Sequence, residues 1–215
     1  MSESASGIIL RTRLLTETSL IVHWLTAKSG RIATVAKGAR RAKSPFLGKL
    51  DLFYEAHFSF GRSRRSDLHI LREVILRETH GAIRTDILKV QQAAYATAFI
   101  EQATETETPL PGIFELFRDF LKRLCEEKPP AQIVFAFELK LLRELGLEPD
   151  WPQTHLAAGT KKIAKILAQA DWPAAGRLKL TETQMVELRQ FLHGFLIFHL
   201  GKLPKGRAAA LAREN

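Results

Sequence analysis

The chain has 215 residues, 46% hydrophobic and 26% charged, with 32 Lys plus Arg against 23 Asp plus Glu and a formal net charge of +9. That is enough chain to bury a core without staples, and the single cysteine, Cys125, excludes an internal disulfide and a cysteine-cluster zinc site. Met1–Ser6 has neither the basic flank nor the apolar core of a signal peptide, and every apolar run is too short to span a bilayer, so a cytoplasmic protein with no membrane contact is expected.

The first eighty residues read as strands. Leu20, Val22 and Trp24 share one parity, and Leu52, Tyr54, Ala56, Phe58 and Phe60 form the cleanest period-two series, with Glu55, His57 and Ser59 opposite. Strands are expected near 7–15, 18–26, 31–37, 50–60 and 67–77. Turn signals separate them at Lys28-Ser29-Gly30, Lys43-Ser44-Pro45 and Gly61-Arg62-Ser63. Five short strands in so few residues fit a small closed barrel of the OB type, with an SH3-like barrel as the competing topology.

Past about Ile83 the period changes. Ile87, Val90, Ala94 and Ala98 lie at helical spacing, as do Ile113, Phe117, Phe120 and Leu124. The polar, proline-bearing segment Thr104–Pro111 divides these two helices, and Glu126–Pro130 ends the second. A third helix is expected over 131–145, stopping at Gly146, and a weaker one over 161–170. The last begins at Thr181 as its cap and runs toward Gly201, burying Met185, Leu188, Leu192, Phe195 and Leu196. The basic tail 202–215 is expected to fray. The fold class is therefore α+β: an N-terminal OB-fold barrel over 1–80, then an all-helical C-terminal domain over 81–215.

Charge follows the same division. Residues 1–80 hold 14 Lys plus Arg against 7 Asp plus Glu, a net of +7, while 81–215 hold 18 against 16, a net of +2. Residues 28–65 alone carry Lys28, Arg31, Lys37, Arg40, Arg41, Lys43, Lys49, Arg62, Arg64 and Arg65 against Asp51 and Glu55. These cations fall in three clusters at strand ends and loops, which a small barrel is expected to gather on one surface. Spaced cations neutralise separate phosphates, so this pattern suits a polyanion better than a small substrate. A loop kept basic for solubility is the plainer alternative. Phe46 and, less strongly, Trp24 are candidates for stacking on bases, against ordinary core packing.

Catalytic signatures are missing. No phosphate-binding loop, dinucleotide fingerprint, nucleophile elbow or H-E-x-x-H occurs, and His193 and His199 are six apart, so they do not share a helix face as a metal pair. Carboxylates at Glu101, Glu105 and Glu107 are interrupted by Thr and read as a solvated helix end and loop. Asp51, Glu55 and Asp67 are too few and scattered to hold metals for phosphoryl transfer. No enzyme, metal or cofactor is expected.

Three pieces in order carry a resemblance: T-E-T-S-L-I-V-H-W-L-T at Thr16–Thr26, S-G-R at Ser29–Arg31 and V-A-K-G-A-R at Val35–Arg40. With L-R-E-V-I-L at Leu71–Leu76, F-E-L-K-L-L-R-E-L-G at Phe137–Gly146 and H-L-G-K-L-P-K-G-R at His199–Arg207, the chain resembles the bacterial recombination mediator RecO. The resemblance is weak over 147–180. It implies an OB-fold and a helical C-terminal domain that bind single- and double-stranded DNA and anneal complementary strands. It also implies work with RecR to load RecA onto strands coated by single-strand binding protein. By position the DNA contacts would be Lys37, Arg40, Arg41 and Lys43, then Arg31 and the Arg62–Arg65 loop. A grip on the acidic tail of single-strand binding protein would fall to Leu142 and Leu145, with Lys140 or Arg143 pairing its carboxylates; ordinary core leucines are the alternative. Two departures stand out: 148–159 lacks the cysteines of the zinc module many members carry, implying a zinc-free version, and Phe135 and Ala136 replace basic residues. The rival to this reading is an RNA-binding OB protein with a helical interaction domain.

Overall fold

The computed structural model describes residues 2–126 and 130–212. Thr104–Arg118 clusters with the described residues of 1–80, and 81–103 clusters with the remainder from Asp119 onward. The chain therefore leaves the first unit at residue 80 and returns to it for fifteen residues, which the expected boundary does not contain. The end of the second helix expected over Glu126–Pro130 lies partly outside the described residues, as do the last three residues of the tail.

The first unit is a closed barrel of β1 (Ser2–Leu14), β2 (Leu20–Thr26), β3 (Gly30–Ala36), β4 (Glu55–Gly61) and β5 (Leu68–Glu78), in the order β1-β2-β3-β5-β4 and back to β1. All neighbours are antiparallel except β3 and β5, which pair in parallel through Ala33–Val35 and Leu68–Ile70. This is the OB-fold. Strand β1 serves two partners, pairing with β4 through Ser2–Ile8 and with β2 through Gly7–Leu14. At the crossover only Gly7 fits, because a Cβ there would lie 2.9 Å from the Leu25 carbonyl oxygen.

Inward-facing residues of the strands make the barrel core, with Ile9, Val22, Ile32, Ala56, Phe58, Phe60, Leu71 and Val74 buried around Trp24. Trp24 stacks on Phe58 at 4.0 Å between ring centroids, and its indole N–H donates to the Thr34 hydroxyl at 2.9 Å. This satisfies the one polar atom that such burial would otherwise strand.

Two strand boundaries differ from expectation. β1 begins at Ser2, five residues early, because backbone pairing with β4 orders a polar stretch that has no hydrophobic signal. β4 begins at Glu55, five residues late. Phe53 adopts φ +66 and donates its N–H to the Ile9 carbonyl at 2.8 Å, so Leu52 lies in a turn and Tyr54 just ahead of the ladder.

The second unit contains α1 (Ile87–Ala103), the second half of α2 (Pro111–Glu126), α3 (Gln132–Glu144), α4 (Ala158–Gln169), α5 (Trp172–Arg177), α6 (Glu182–Leu200) and α7 (Arg207–Ala210). Thr181 caps α6 in a reciprocal capping box with Gln184, and Gly201 closes that helix at φ +74. Helix α1 buries a different face from the expected one. Leu88, Ala93, Tyr95, Phe99 and Ile100 are buried while Ile87 is 68% exposed, because the helix is apolar nearly all round and spacing alone cannot choose a face. Residues 202–212 of the tail are ordered, contrary to expectation. Arg207 on α7 is buried and bonds both carboxylate oxygens of Glu138 on α3, at 2.6 and 3.0 Å. The Tyr95 hydroxyl donates to the same carboxylate, and burial first, then that charge, pushes its pKa well above the usual phenol value.

Candidate nucleic-acid interface

Strand register separates the basic clusters. Leu14, Leu20 and Ala36 are cross-strand neighbours, so the loop that follows Ala36, with Lys37–Lys49, leaves one end of the barrel. Gly30 and Arg31 lie at the other end of β3, and the β4–β5 loop carrying Arg62–Arg65 enters β5 beside Ala33. Six residue steps along β3 put the two ends about 20 Å apart. The single basic surface expected from sequence is therefore two patches.

The Arg31 end is already occupied. The segment from Thr104 runs beside β3 as a short strap: Arg31 bridges Thr106 in parallel, and the Glu107 N–H donates to the Arg31 carbonyl at 2.9 Å. The Arg31 guanidinium donates through Nε to the Thr104 hydroxyl at 2.8 Å and through Nη2 to the Thr104 carbonyl at 2.5 Å. Arg62 pairs with Glu3 at 2.9 Å and with Glu107 at 3.1 Å, and its pKa is raised chiefly by the bond to Glu3. Glu107 also meets the buried ring of His69 at 3.1 Å. The acidic run read as a solvated loop thus places Glu107 on a cation at the barrel rim. Arg31 and Arg62 are committed internally, while Arg64 and Arg65 are exposed and form no ion pair among the described residues.

The other end is open. Lys37, Arg40, Arg41 and Lys43 are exposed, Lys49 is half-buried, and none of them forms an ion pair among the described residues. The loop that carries them is fixed by its own backbone. Ser44 N–H bonds the Arg41 carbonyl, Leu47 N–H the Ser44 carbonyl and Lys49 N–H the Phe46 carbonyl, at 3.0–3.2 Å. Arg40 N–H reaches the Thr18 carbonyl at 3.0 Å and its Nη1 the Glu17 carbonyl at 2.9 Å, tying the loop to the β1–β2 turn. A guanidinium has five donors, so this bond leaves Arg40 able to hold a phosphate. Such ordering in advance lowers the entropy cost of binding. Sequence reasoning missed Arg13, exposed at the same end and paired across to Ile21; only the register reveals it. Glu55, one of two acids in the basic stretch, has its carboxyl pushed up by burial, with Arg118 opposing.

Neither proposed stacking ring lies on the surface: Trp24 is in the core and Phe46 is 6% exposed beneath the loop. The residues expected to grip a peptide tail are also placed otherwise. Leu142 is fully buried and Leu145 half-buried at the end of α3. The Lys140 ammonium donates to the Ala170 carbonyl at 2.6 Å, and Arg143 Nη1 to the Ala168 carbonyl at 3.0 Å, so both cations close the C-terminal end of α4. Burial, then the neighbouring Arg143, lowers the Lys140 pKa. Leu142 offers no surface to a peptide, and Lys140 is taken.

Comparison with known proteins agrees with this architecture. The family model described as Recombination protein O N terminal matches residues 1–80, and that described as Recombination protein O C terminal matches residues 84–156. The chain belongs to the RecO family. Proteins named DNA repair protein RecO are similar to it: one from Exiguobacterium sibiricum is 32% identical over 149 residues, 69% of this chain and 59% of that protein. Another from Listeria monocytogenes is 32% identical over 158 residues, covering 74% and 61%. A third, from Bacillus subtilis, is 32% identical over 150 residues, covering 70% and 58%. The chain thus spans about three-fifths of the length of these RecO relatives. No helix among the described residues is long and apolar enough to cross a membrane. No group of three or more potential metal ligands occurs among them either.

Proposed function

We propose that this RecO-family chain is a non-enzymatic DNA-binding mediator of recombinational repair. It binds single- and double-stranded DNA, anneals complementary strands, and acts with RecR to help load RecA onto strands coated by single-strand binding protein. The observation that carries the DNA reading is the ordered loop Lys37–Lys49, whose exposed cations have no ion-pair partner among the described residues. Family membership supports the mediator role. The mechanism is charge neutralisation: Lys37, Arg40, Arg41, Lys43 and Lys49 hold one strand by its phosphates and reduce its repulsion toward a second. Arg64 and Arg65 supply a second patch at the far end of β3, while Arg31 contributes only when the strap releases it and Arg62 stays paired with Glu3.

The test is annealing of complementary oligonucleotides, bare and coated with the cognate single-strand binding protein, at two salt concentrations without nucleotide or metal. Salt-sensitive annealing of both substrates is expected. Annealing of bare strands alone would remove the coated-strand role, and preference for structured RNA with no annealing would overturn the DNA reading.

A further inference from the structure

Beneath the open basic loop the barrel core is not closed over. Leu20, Leu50 and Tyr54 pack against the buried core yet remain partly accessible, and Phe46 forms the floor between them. With Leu47 and Asp51 they line a groove of about 240 Å³. Its volume lies below the ~300–1,000 Å³ of pockets for drug-sized ligands, which suits one planar ring system. Leu47, at the rim, is 65% exposed although large and apolar.

We infer that this groove receives a single unstacked base of a DNA strand whose phosphates are held by the loop cations. The inference rests on the proposed DNA binding. Charge selects the occupant: Arg40, Arg41 and Lys43 lie just before the groove in the loop, and Lys49 stands between two of its lining residues. An apolar partner without phosphates would leave those cations unused. Asp51 also lines the groove, its Oδ1 accepting from the Leu52 N–H at 2.8 Å, whereas the cations lie in the loop around it. Within the groove Tyr54 and Leu47 offer the faces against which a base packs, a sequence-tolerant contact because every base has an apolar face. The groove also gives the binding a preference for unpaired strands, since a base inside a duplex cannot enter without unpairing.

The experiment compares affinity for an oligo-dT strand with that for an abasic strand of equal length, which keeps the phosphates and lacks the bases. Wild-type protein should bind oligo-dT about ten-fold more tightly at equal salt. Leu47→Ser and Tyr54→Leu should each weaken oligo-dT binding toward the abasic value and leave abasic binding unchanged. Leu47 is exposed, so its replacement does not threaten folding. Equal affinity of the wild type for both strands would overturn the groove and leave the DNA reading intact. A preference that persists undiminished in both variants would place base contact elsewhere and overturn it too. Binding to neither strand at low salt would refute the DNA reading and the groove with it.

Discussion

Gly30→Ala tests how the strap is held on the barrel. Gly30 adopts φ +62, and a Cβ built there would lie 1.9 Å from the Thr108 carbonyl oxygen and 2.8 Å from the Thr108 nitrogen. Ordinary contact begins near 3.4 Å, and backbone cannot swing aside as a long side chain can, so the strap must lift. Left-handed backbone costs a residue with a Cβ about 1–2 kcal/mol. Lifting the strap also removes the Glu107 N–H bond to Arg31, worth about 1 kcal/mol, and loosens the exposed Arg62–Glu107 pair, worth at most about 1. The barrel should lose about 3 kcal/mol. Hydrogen exchange gives the local readout: the Glu107 amide should lose most of its protection, and the amides of the β2–β3 ladder should report an earlier urea midpoint for the barrel. Arg62 stays paired with Glu3 on β1, so release of Arg31 adds up to one cation and the salt slope for single-stranded DNA should steepen by about 0.7. Wild-type protection at Glu107 with an unchanged midpoint would refute the strap geometry.

Arg207→Met leaves the Glu138 carboxylate buried without its cation, and thermal denaturation should show a loss of about 3–5 kcal/mol. Adding Glu138→Gln should recover part of it; a near-neutral single variant would contradict the buried pair. Glu187 accepts from the Thr160 hydroxyl and from the Ala157 N–H at 2.7 Å, and these bonds, Thr160 first, hold its carboxyl below the usual range. Its contribution is therefore present above the unfolded carboxylate pKa and is lost as pH falls through the folded value. The midpoint gap between wild type and Glu187→Gln should be open at pH 7 and close as pH falls through the lowered folded value; a gap independent of pH would sink that assignment.

How much the residues foretold depended on whether their partners were close in sequence. Ala56, Phe58 and Phe60 alternate and are all buried, and Ile113, Phe117, Phe120 and Leu124 fall on one buried helical face. Thr181, Gly146 and Gly201 mark helix ends through local hydrogen bonding and backbone conformation. The features that escaped are all non-local. Glu107 gave no sign that it would meet Arg62, 45 residues away, nor Arg207 that it would find Glu138, 69 residues away. Ser2–Ser6 becomes a strand only because β4 is beside it. The cations themselves were legible, but their division between two barrel ends was not, since only strand register decides it. Leu142 and Lys140 illustrate the same limit: a helical motif can be read in sequence, but which face its neighbours cover cannot.

A salt titration of single-stranded DNA binding asks whether the loop Lys37–Lys49 holds a DNA backbone. Wild-type protein and the triple variant Arg40→Ala, Arg41→Ala, Lys43→Ala would be compared on two unrelated sequences. Removing three phosphate contacts should flatten the slope of log K against log salt by about 2 and weaken both sequences alike. An unchanged slope, or a loss confined to one sequence, would mean that this loop does not hold the phosphates.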